Sequence, residues 1–310
     1  MKKLFSILLM LVLIVNGSAC GAAPAETQNG LSIVTTVFPA YDFAREIAGE
    51  RAHVTLLLPP GAEVHSFEPT AKDMARVQSA DLFFCNGGES EAWADKLLES
   101  TEIRSLAMLD CVDALEEELP EGMQGEEEQD EEDGPEYDEH VWTSPKNAIR
   151  ICETLCDELC AIDPEGENVY RENLRAYSEK LQMLDDAFRQ VVSEGRFHTV
   201  IFADRFPVRY FVEEYGLEYF AAFPGCAEDT EPSAKTVAFL IDRVRAEGLP
   251  AVFYIEFSNQ KMADMICEDT GCEKLLFHSC HNVSADELRA GATYLSLMTD
   301  NVNALKEALG

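Results

Sequence analysis

Histidine is scarce in this chain, and the positions of the histidines suggest metal chemistry. Only six occur among 310 residues. Four of them follow predicted strands or end a loop, where α/β proteins commonly place binding groups: His65, His140, His278 and His281. Neutral imidazole is a common ligand of zinc and other divalent ions. We therefore predict a metal site among these four, whereas His53 and His198 begin predicted strands and are interpreted as structural.

The elements that must position these histidines alternate short apolar runs with amphipathic segments, a pattern typical of βα units. One series occupies residues 31–165 and a second occupies residues 196–310. Between them, residues 166–195 keep helical spacing, with no proline or glycine between the two end glycines. A helix of that length is unusual within a globular domain and suits a rigid connection. The predicted fold is α/β, with two βα lobes joined by one long linking helix.

The first twenty residues have the organisation of an export signal, with two lysines, an apolar run and small residues before Cys20. The apolar run is too short for a stable transmembrane helix, and no other stretch reaches the required length. Gly-Ser-Ala-Cys resembles a bacterial lipobox. We expect residues 1–20 to be removed, Cys20 to be acylated, and residues 21–30 to form a flexible tether. The alternative is plain secretion, with Cys20 as an ordinary residue.

Charge excludes some partners and favours others. The chain has 24 basic and 58 acidic residues and a formal net charge of −34, which repels nucleic acid and attracts cations. Residues 116–139 contain fourteen of the acidic residues and end directly before His140. We expect this segment to be a disordered loop. One hypothesis is that its field concentrates cations near the metal site, and the alternative is a purely solubilising role.

The cysteines allow several interpretations. If Cys20 is acylated, nine remain, an odd number that cannot all pair within one chain: Cys85, Cys111, Cys152, Cys156, Cys160, Cys226, Cys267, Cys272 and Cys280. Cys152, Cys156 and Cys160 share one face of a predicted helix, where three thiols in a row cannot easily surround a zinc ion. We interpret them as small buried apolar groups. Cys267 and Cys272 are candidates for a local disulfide.

Several longer motifs resemble one family. They are TTVFPAYDFAREIAGE, LLPPGAEVHSFEPT, DEHVWTSP, AEDTEPS and YLSLMTDNVNALKEAL, spread over almost the whole chain after Gly30. Together they are similar to the zinc and manganese substrate-binding lipoproteins of bacterial ABC importers, cluster A-I. The resemblance implies one divalent ion held in a cleft between the two lobes and delivered to a membrane permease and its ATPase. It also implies a protein outside the cytoplasm, anchored through the lipid on Cys20 and expected to be a monomer.

The resemblance also implies a set of ligands. His65 and His140 match the two ligands of the N-terminal lobe. The third family ligand falls at Arg205, which cannot bind a cation, so we predict Asp204 as its substitute, although that carboxylate could equally cap the next helix. The fourth falls near His281, with His278 as the rival. Glu256 is a further ligand or a group that orients one, and Trp142 is expected to pack beneath His140.

Histidines with at most one or two carboxylates favour four-coordinate zinc, whereas manganese prefers more oxygen ligands. The predicted function is therefore that of the zinc-binding component of an ABC importer. A manganese-specific importer and a metal-binding adhesin or surface lipoprotein are the alternatives. We do not expect an enzyme, because the sequence contains neither H-E-x-x-H nor G-x-S-x-G.

Overall fold

A computed structural model describes residues 30–63, 66–124, 136–227 and 231–310. The N-terminal lobe is a parallel four-stranded sheet in the order β2-β1-β3-β4. Its elements are β1 (Leu31–Thr35), α1 (Phe38–Ala48), β2 (Ala52–Leu56), α2 (Ala71–Gln78), β3 (Leu82–Cys85), α3 (Ala92–Leu98) and β4 (Ser105–Ala107). All four residues of β3 are buried, as expected for an apolar strand with both faces covered.

Two long helices follow, α4 (Pro145–Ile162) and α5 (Glu167–Glu194). The second has 28 residues and buries one stripe of large side chains, including Tyr177, Leu181 and Phe188. This stripe belongs to a core cluster that contains residues of both lobes. The predicted long linking helix is therefore confirmed, with bounds one residue inside those predicted at each end.

The C-terminal lobe repeats the plan of the first. Its elements are β5 (Thr199–Phe206), α6 (Arg209–Tyr215), β6 (Glu218–Pro224), α7 (Ala234–Glu247), β7 (Ala251–Tyr254), α8 (Lys261–Thr270), β8 (Glu273–Leu276), α9 (Ala285–Ala290) and α10 (Tyr294–Leu309). The parallel sheet has the order β6-β5-β7-β8, which is the N-terminal order shifted by four strands. The predicted α/β fold with two βα lobes is confirmed.

The loop between β8 and α9 joins the two lobes. The side-chain amide of Asn282 donates to the carbonyl oxygens of Pro59 and Ala62, each at 2.9 Å. The Gly61 N–H donates to the Val283 carbonyl at 2.9 Å. The loop after β2 in the N-terminal lobe is thus held directly against the loop after β8.

The acidic segment departs from the expectation of a disordered loop at its two described ends. The Glu117 N–H donates to the Glu136 carbonyl and the Asp138 N–H donates to the Leu115 carbonyl, each at 2.9 Å. Asp138 and Glu139 are buried. The two described ends of the segment are therefore paired with each other by backbone hydrogen bonds. Residues 125–135, eleven of the 24 residues of the predicted loop, lie outside the described part of the chain.

The structure bears on two other sequence predictions. Cys152 and Cys156 are fully buried in the core and Cys160 is half-buried, in agreement with their interpretation as small apolar groups. Within the described ranges, no helix is both long enough and apolar enough to cross a membrane. Residues 1–20 with Cys20, and residues 21–29 of the predicted tether, lie outside those ranges.

Candidate metal centre

Two of the predicted histidines meet between the lobes. The ring centroids of His140 and His281 lie 5.0 Å apart, and the ring planes are inclined at 83°. His140 is fully buried and His281 is 7% exposed. His140 ends the acidic segment and precedes α4, whereas His281 lies in the loop between β8 and α9. One imidazole from each side therefore faces the junction.

The position of His140 is set by the chain on both sides of it. Ser144 caps α4 by accepting a hydrogen bond from the Asn147 N–H, and Pro145 occupies the first turn of the helix, where its missing N–H costs nothing. On the other side, Asp138 Oδ1 accepts from the His140 N–H at 2.8 Å and lies 3.1 Å from Nδ1. A proton on Nδ1 facing this carboxylate leaves the Nε2 lone pair for a metal, a common arrangement of metal-binding histidines.

Charges around His140 also change its protonation. Burial alone lowers the pKa of His140, but Asp138, followed by Glu139 and Glu117, more than offsets this, so that the pKa is raised above 6.5. The neighbouring negative charges that favour a proton on the imidazole also favour a metal cation beside it. Proton and metal thus compete for the same residue.

Trp142 lies against both histidines. Its ring centroid is 5.5 Å from that of His140 and 4.9 Å from that of His281. The indole N–H donates to the Ser279 carbonyl at 2.8 Å, and the Tyr294 hydroxyl donates to the Trp142 carbonyl at 2.7 Å. These two bonds fix the ring, so Trp142 forms a rigid wall behind the histidine pair.

Glu256 positions His281 through Ser279. One carboxylate oxygen accepts from the Ser279 N–H at 2.8 Å and the other accepts from its hydroxyl. The hydroxyl oxygen in turn accepts from the His281 N–H at 3.2 Å. Glu256 also lines the cavity beside the histidines, together with Arg205 and Gly225. It is therefore placed to orient His281 as well as to face a bound ion.

His278 does not join this pair. Its Nδ1 accepts from the Cys280 N–H at 2.9 Å. The His278 N–H donates to Asn301 Oδ1, and Asn301 Nδ2 donates to the His278 carbonyl, each at 2.8 Å. Its Nε2 lies 3.7 Å from Glu287, away from the cavity lined by His140 and His281. Of the two rival histidines, only His281 lies beside His140.

Asp204, the predicted substitute ligand, is not among the described residues that line the cavity beside His140 and His281. Its carboxylate accepts from the Arg205 N–H at 2.9 Å and from the Ile255 N–H at 3.5 Å, and it is hydrogen-bonded to the Ser258 side chain. It lines a neighbouring, larger cavity of about 680 Å³. The alternative prediction, a cap for the next helix, is wrong, because Asp204 lies inside β5 and Val208 is the residue that precedes α6. The role of Asp204 as a metal ligand stays a prediction.

Arg205 occupies the cavity edge where the resemblance implies a ligand. Its guanidinium donates to both carboxylate oxygens of Glu63, at 3.1 and 3.2 Å. Glu63 stands two residues before His65, which lies outside the described residues. Glu63 itself lines the cavity beside His140 and His281.

The cavity between the histidines has a volume of about 30 Å³. This is about the space of one water molecule in the liquid, too small for an organic ligand. Across the described ranges, no cluster of three or more histidine, cysteine, aspartate or glutamate side chains is arranged to hold a metal ion. The two described histidines are fewer than the three ligands that such a cluster requires.

Gly225 is a part of the centre that sequence reasoning missed. A Cβ at this position would lie 2.8 Å from His140 Cε1 and 3.0 Å from the Phe206 carbonyl oxygen. The Pro224-Gly225 turn signal after β6 was visible in the sequence, but the approach of His140, 85 positions earlier, was not. Only glycine lets this turn lie against the imidazole.

Two α/β lobes on a long helix, with a buried histidine from each side facing an ion-sized cavity, are the arrangement predicted for a two-lobe metal-binding protein. Residues 33–308 match the family described as "ZnuA: Zinc-uptake complex component A periplasmic", and the chain belongs to this family. The resemblance drawn from the sequence motifs is thereby confirmed.

Individual relatives agree with this assignment. The zinc-binding lipoprotein AdcA of Streptococcus pneumoniae is 32% identical over 288 residues, which cover 91% of this chain and 56% of AdcA. This chain thus spans little more than half the length of that relative. The high-affinity zinc uptake system protein ZnuA of Bacillus subtilis is 30% identical over 301 residues, covering 95% and 92% of the two chains.

Solved structures show the same architecture. The Zn(II)-bound ZnuA-like domain of Streptococcus pneumoniae AdcA superposes with a TM-score of 0.75 at 31% identity. The superposition covers 90% of this chain and 99% of that domain. The lipoprotein YcdH of Bacillus subtilis has the same TM-score at 27% identity, covering 90% and 100%.

Proposed function

We propose that this protein is the extracytoplasmic zinc-binding component of an ABC importer, and that it holds one Zn²⁺ between its lobes as cargo. The observation that carries the proposal is the pair His140 and His281, buried against an ion-sized cavity at the lobe junction. Family membership and relatives described as zinc-binding or zinc-uptake proteins support it.

The proposed ligands are His140, His281 and His65. Three neutral imidazoles suit zinc better than manganese, which favours oxygen ligands. Glu256 lines the cavity, but both its oxygens already accept hydrogen bonds from Ser279. We assign Glu256 to the orientation of His281. Water or another small ligand takes the fourth coordination position of the tetrahedral ion.

The ligand set suggests how cargo is retained and released. Histidines from both lobes link the lobes when zinc is bound, and the contacts of Asn282 with Pro59 and Ala62 keep the two loops together. Release requires either separation of these loops by the permease or protonation of the imidazoles. The proposed partners are therefore a permease and its ATPase, with a lipid on Cys20 keeping a monomeric protein at the membrane.

Zinc binding to purified protein tests the proposal. We expect the wild type to bind one zinc tightly in competition with a chromophoric chelator, and His140→Ala and His281→Ala each to weaken binding at least about a hundredfold. His53→Ala, at an exposed position on β2, is the matched control and should bind as the wild type does. Tight zinc in both site variants would overturn the proposed centre.

His278→Ala, His65→Ala and Asp204→Asn divide the ligand roles further. We expect His65→Ala to weaken zinc binding as His281→Ala does, and the other two variants to change affinity less than about tenfold. A hundredfold loss in Asp204→Asn would return this residue to the ligand set.

A further inference from the structure

Two cysteines of the C-terminal lobe lie side by side. The Sγ atoms of Cys267 and Cys272 are 3.5 Å apart. Cys267 belongs to the last turn of α8, and Cys272 lies just before β8. Both side chains are half-buried and pack against the core of that lobe.

The backbone conformation between Cys267 and Cys272 brings the two thiols together. Gly271 ends α8 with φ of +77°, and its N–H donates to the Cys267 carbonyl at 2.8 Å. A left-handed glycine here reverses the chain. The Cys272 N–H then donates to Thr270 Oγ1 at 3.3 Å. Lys274 on β8 pairs with Asp264 on α8, adding a second link between the same two elements.

We propose that Cys267 and Cys272 are a redox-active pair that closes as an intrachain disulfide in the exported protein. Disulfide sulfurs lie about 2.05 Å apart, so the thiols must approach by roughly 1.5 Å, which side-chain rotation can supply. An extracytoplasmic location favours oxidation. This inference depends on export and is independent of the zinc ligands.

The reaction needs a disulfide oxidant, such as oxidised glutathione or an oxidised dithiol oxidoreductase. One protein thiolate attacks the oxidant and releases one reduced thiol. The second protein thiolate attacks the resulting mixed disulfide and releases the other. The protein thus gives up two electrons and two protons, and the oxidant becomes two thiols. Burial and the hydrogen bond between the two thiols raise the pKa of Cys267 to about 12, which slows the reaction near neutral pH because the thiolate is the attacking species.

The disulfide would restrain the segment of chain that leads into the loop carrying His281. β8 leads through Phe277 directly into that loop, and the bridge would fix the start of β8 to the end of α8. Neither sulfur lines the cavity beside the histidines. We therefore expect oxidation to raise the melting temperature by several degrees and to change zinc affinity less than about threefold.

Peptide mapping of the full chain tests the pair directly. Trypsin releases residues 262–274 as one peptide that contains both cysteines and no other. Purified protein is equilibrated with reduced and oxidised glutathione at several ratios and then alkylated. We expect this peptide to lose two hydrogens and escape alkylation in oxidising mixtures. Two alkylated cysteines in the most oxidising mixture, or pairing of either one with a different cysteine, would overturn the proposal.

Thermal unfolding with and without a reductant gives the second readout. Reductant should lower the melting temperature of the wild type and of Cys160→Ser, a control at another half-buried cysteine. It should have no effect on Cys267→Ser, or on Cys272→Ala if the first variant does not fold. A persistent effect of reductant in both variants would contradict the assignment of the bridge to this pair.

Discussion

Arg205 and Glu63 form a two-point ion pair at the edge of the metal cavity, with Nη1 3.1 Å from Oε1 and Nη2 3.2 Å from Oε2. The pair joins the end of β5 in the C-terminal lobe to the loop that leads to His65. Where the resemblance implies a metal ligand from the C-terminal lobe, this chain instead has Arg205 paired with Glu63 on the neighbouring loop. We call this ion pair the clamp. The clamp also neutralises a guanidinium that would otherwise repel the cation.

Loss of this clamp should speed zinc release. In Glu63→Gln the loop is held less firmly and Arg205 keeps an unbalanced positive charge near the ion, so both effects act in the same direction. We expect the zinc dissociation rate to rise roughly 3- to 10-fold, as measured by stopped-flow transfer to a chelator. Glu179→Gln on α5, which removes an exposed ion pair, serves as the control. An unchanged rate would argue against the clamp.

As pH falls, zinc affinity should begin to decrease at a pH above the ordinary pKa of histidine. Because the pKa of His140 is raised above 6.5 in the metal-free protein, proton competition begins at a higher pH than for an isolated imidazole. Affinity should fall by up to about tenfold per pH unit for each protonated ligand below that pKa. Titrations between pH 8 and 5.5 should show this decline, and a flat profile would contradict a histidine-based site.

Asp138→Asn should move that decline to lower pH. Removal of the carboxylate beside Nδ1 lowers the pKa of His140, while affinity at pH 8 also weakens because the imidazole is less firmly oriented. Asp113→Asn, at a 97% exposed side chain, is the control and should leave the profile unchanged. The same chelator competition at several pH values measures both effects.

Gly225→Ala should damage the centre without removing a ligand. The added methyl would lie 2.8 Å from the His140 ring and 3.0 Å from a backbone oxygen, so the imidazole must shift. We expect zinc affinity to fall at least about tenfold. Gly248→Ala, whose Cβ meets nothing within 4 Å but whose φ is +68°, should lower stability and leave zinc binding intact. Equal effects of the two variants on zinc would refute this reasoning.

Asp42 should make the metal-free protein less stable as pH rises. The Asp42 carboxylate accepts from the Tyr294 N–H at 2.9 Å, and burial raises its pKa from 3.8 to about 7. Between these values the folded chain holds a proton that the unfolded chain has released, so stability falls as pH increases through that window. The change should be small above about pH 7.

Asp42→Asn removes this dependence while keeping an acceptor for the Tyr294 N–H. We expect the loss of unfolding free energy between pH 5 and pH 8 to shrink by about 2 kcal/mol. Denaturant unfolding at the two pH values measures it. Asp286→Asn, at an exposed side chain, should retain the wild-type slope. The same slope in Asp42→Asn would show that this carboxylate is not protonated near neutral pH.

Much of the fold could be predicted because its signals are local. Alternating apolar runs marked the strands, and 28 residues without proline or glycine marked the linking helix. The predicted long helix was off by one residue at each end. The disorder expected at the ends of the acidic segment was wrong, because the pairing of Glu117 with Glu136 depends on residues far apart in sequence.

The choice between His278 and His281 required the tertiary structure. Cys280 between them has φ of +63°, which turns the chain so that His281 faces His140 and His278 faces Glu287. A positive φ at a residue other than glycine or asparagine is uncommon and depends on surrounding contacts. Sequence spacing alone could not show it.

The sequence by itself determined the fold, two βα lobes joined by a long helix, and it predicted a histidine-based zinc site at the turns after strands. Residue type and periodicity are sufficient for these features, because they arise from local geometry and ligand chemistry. Only the tertiary structure decided that His281 meets His140, that Asp204 bonds backbone N–H groups, and that Arg205 clamps Glu63. Each of these depends on the direction of a side chain where the two lobes meet, and that direction is set by packing between residues distant in the chain.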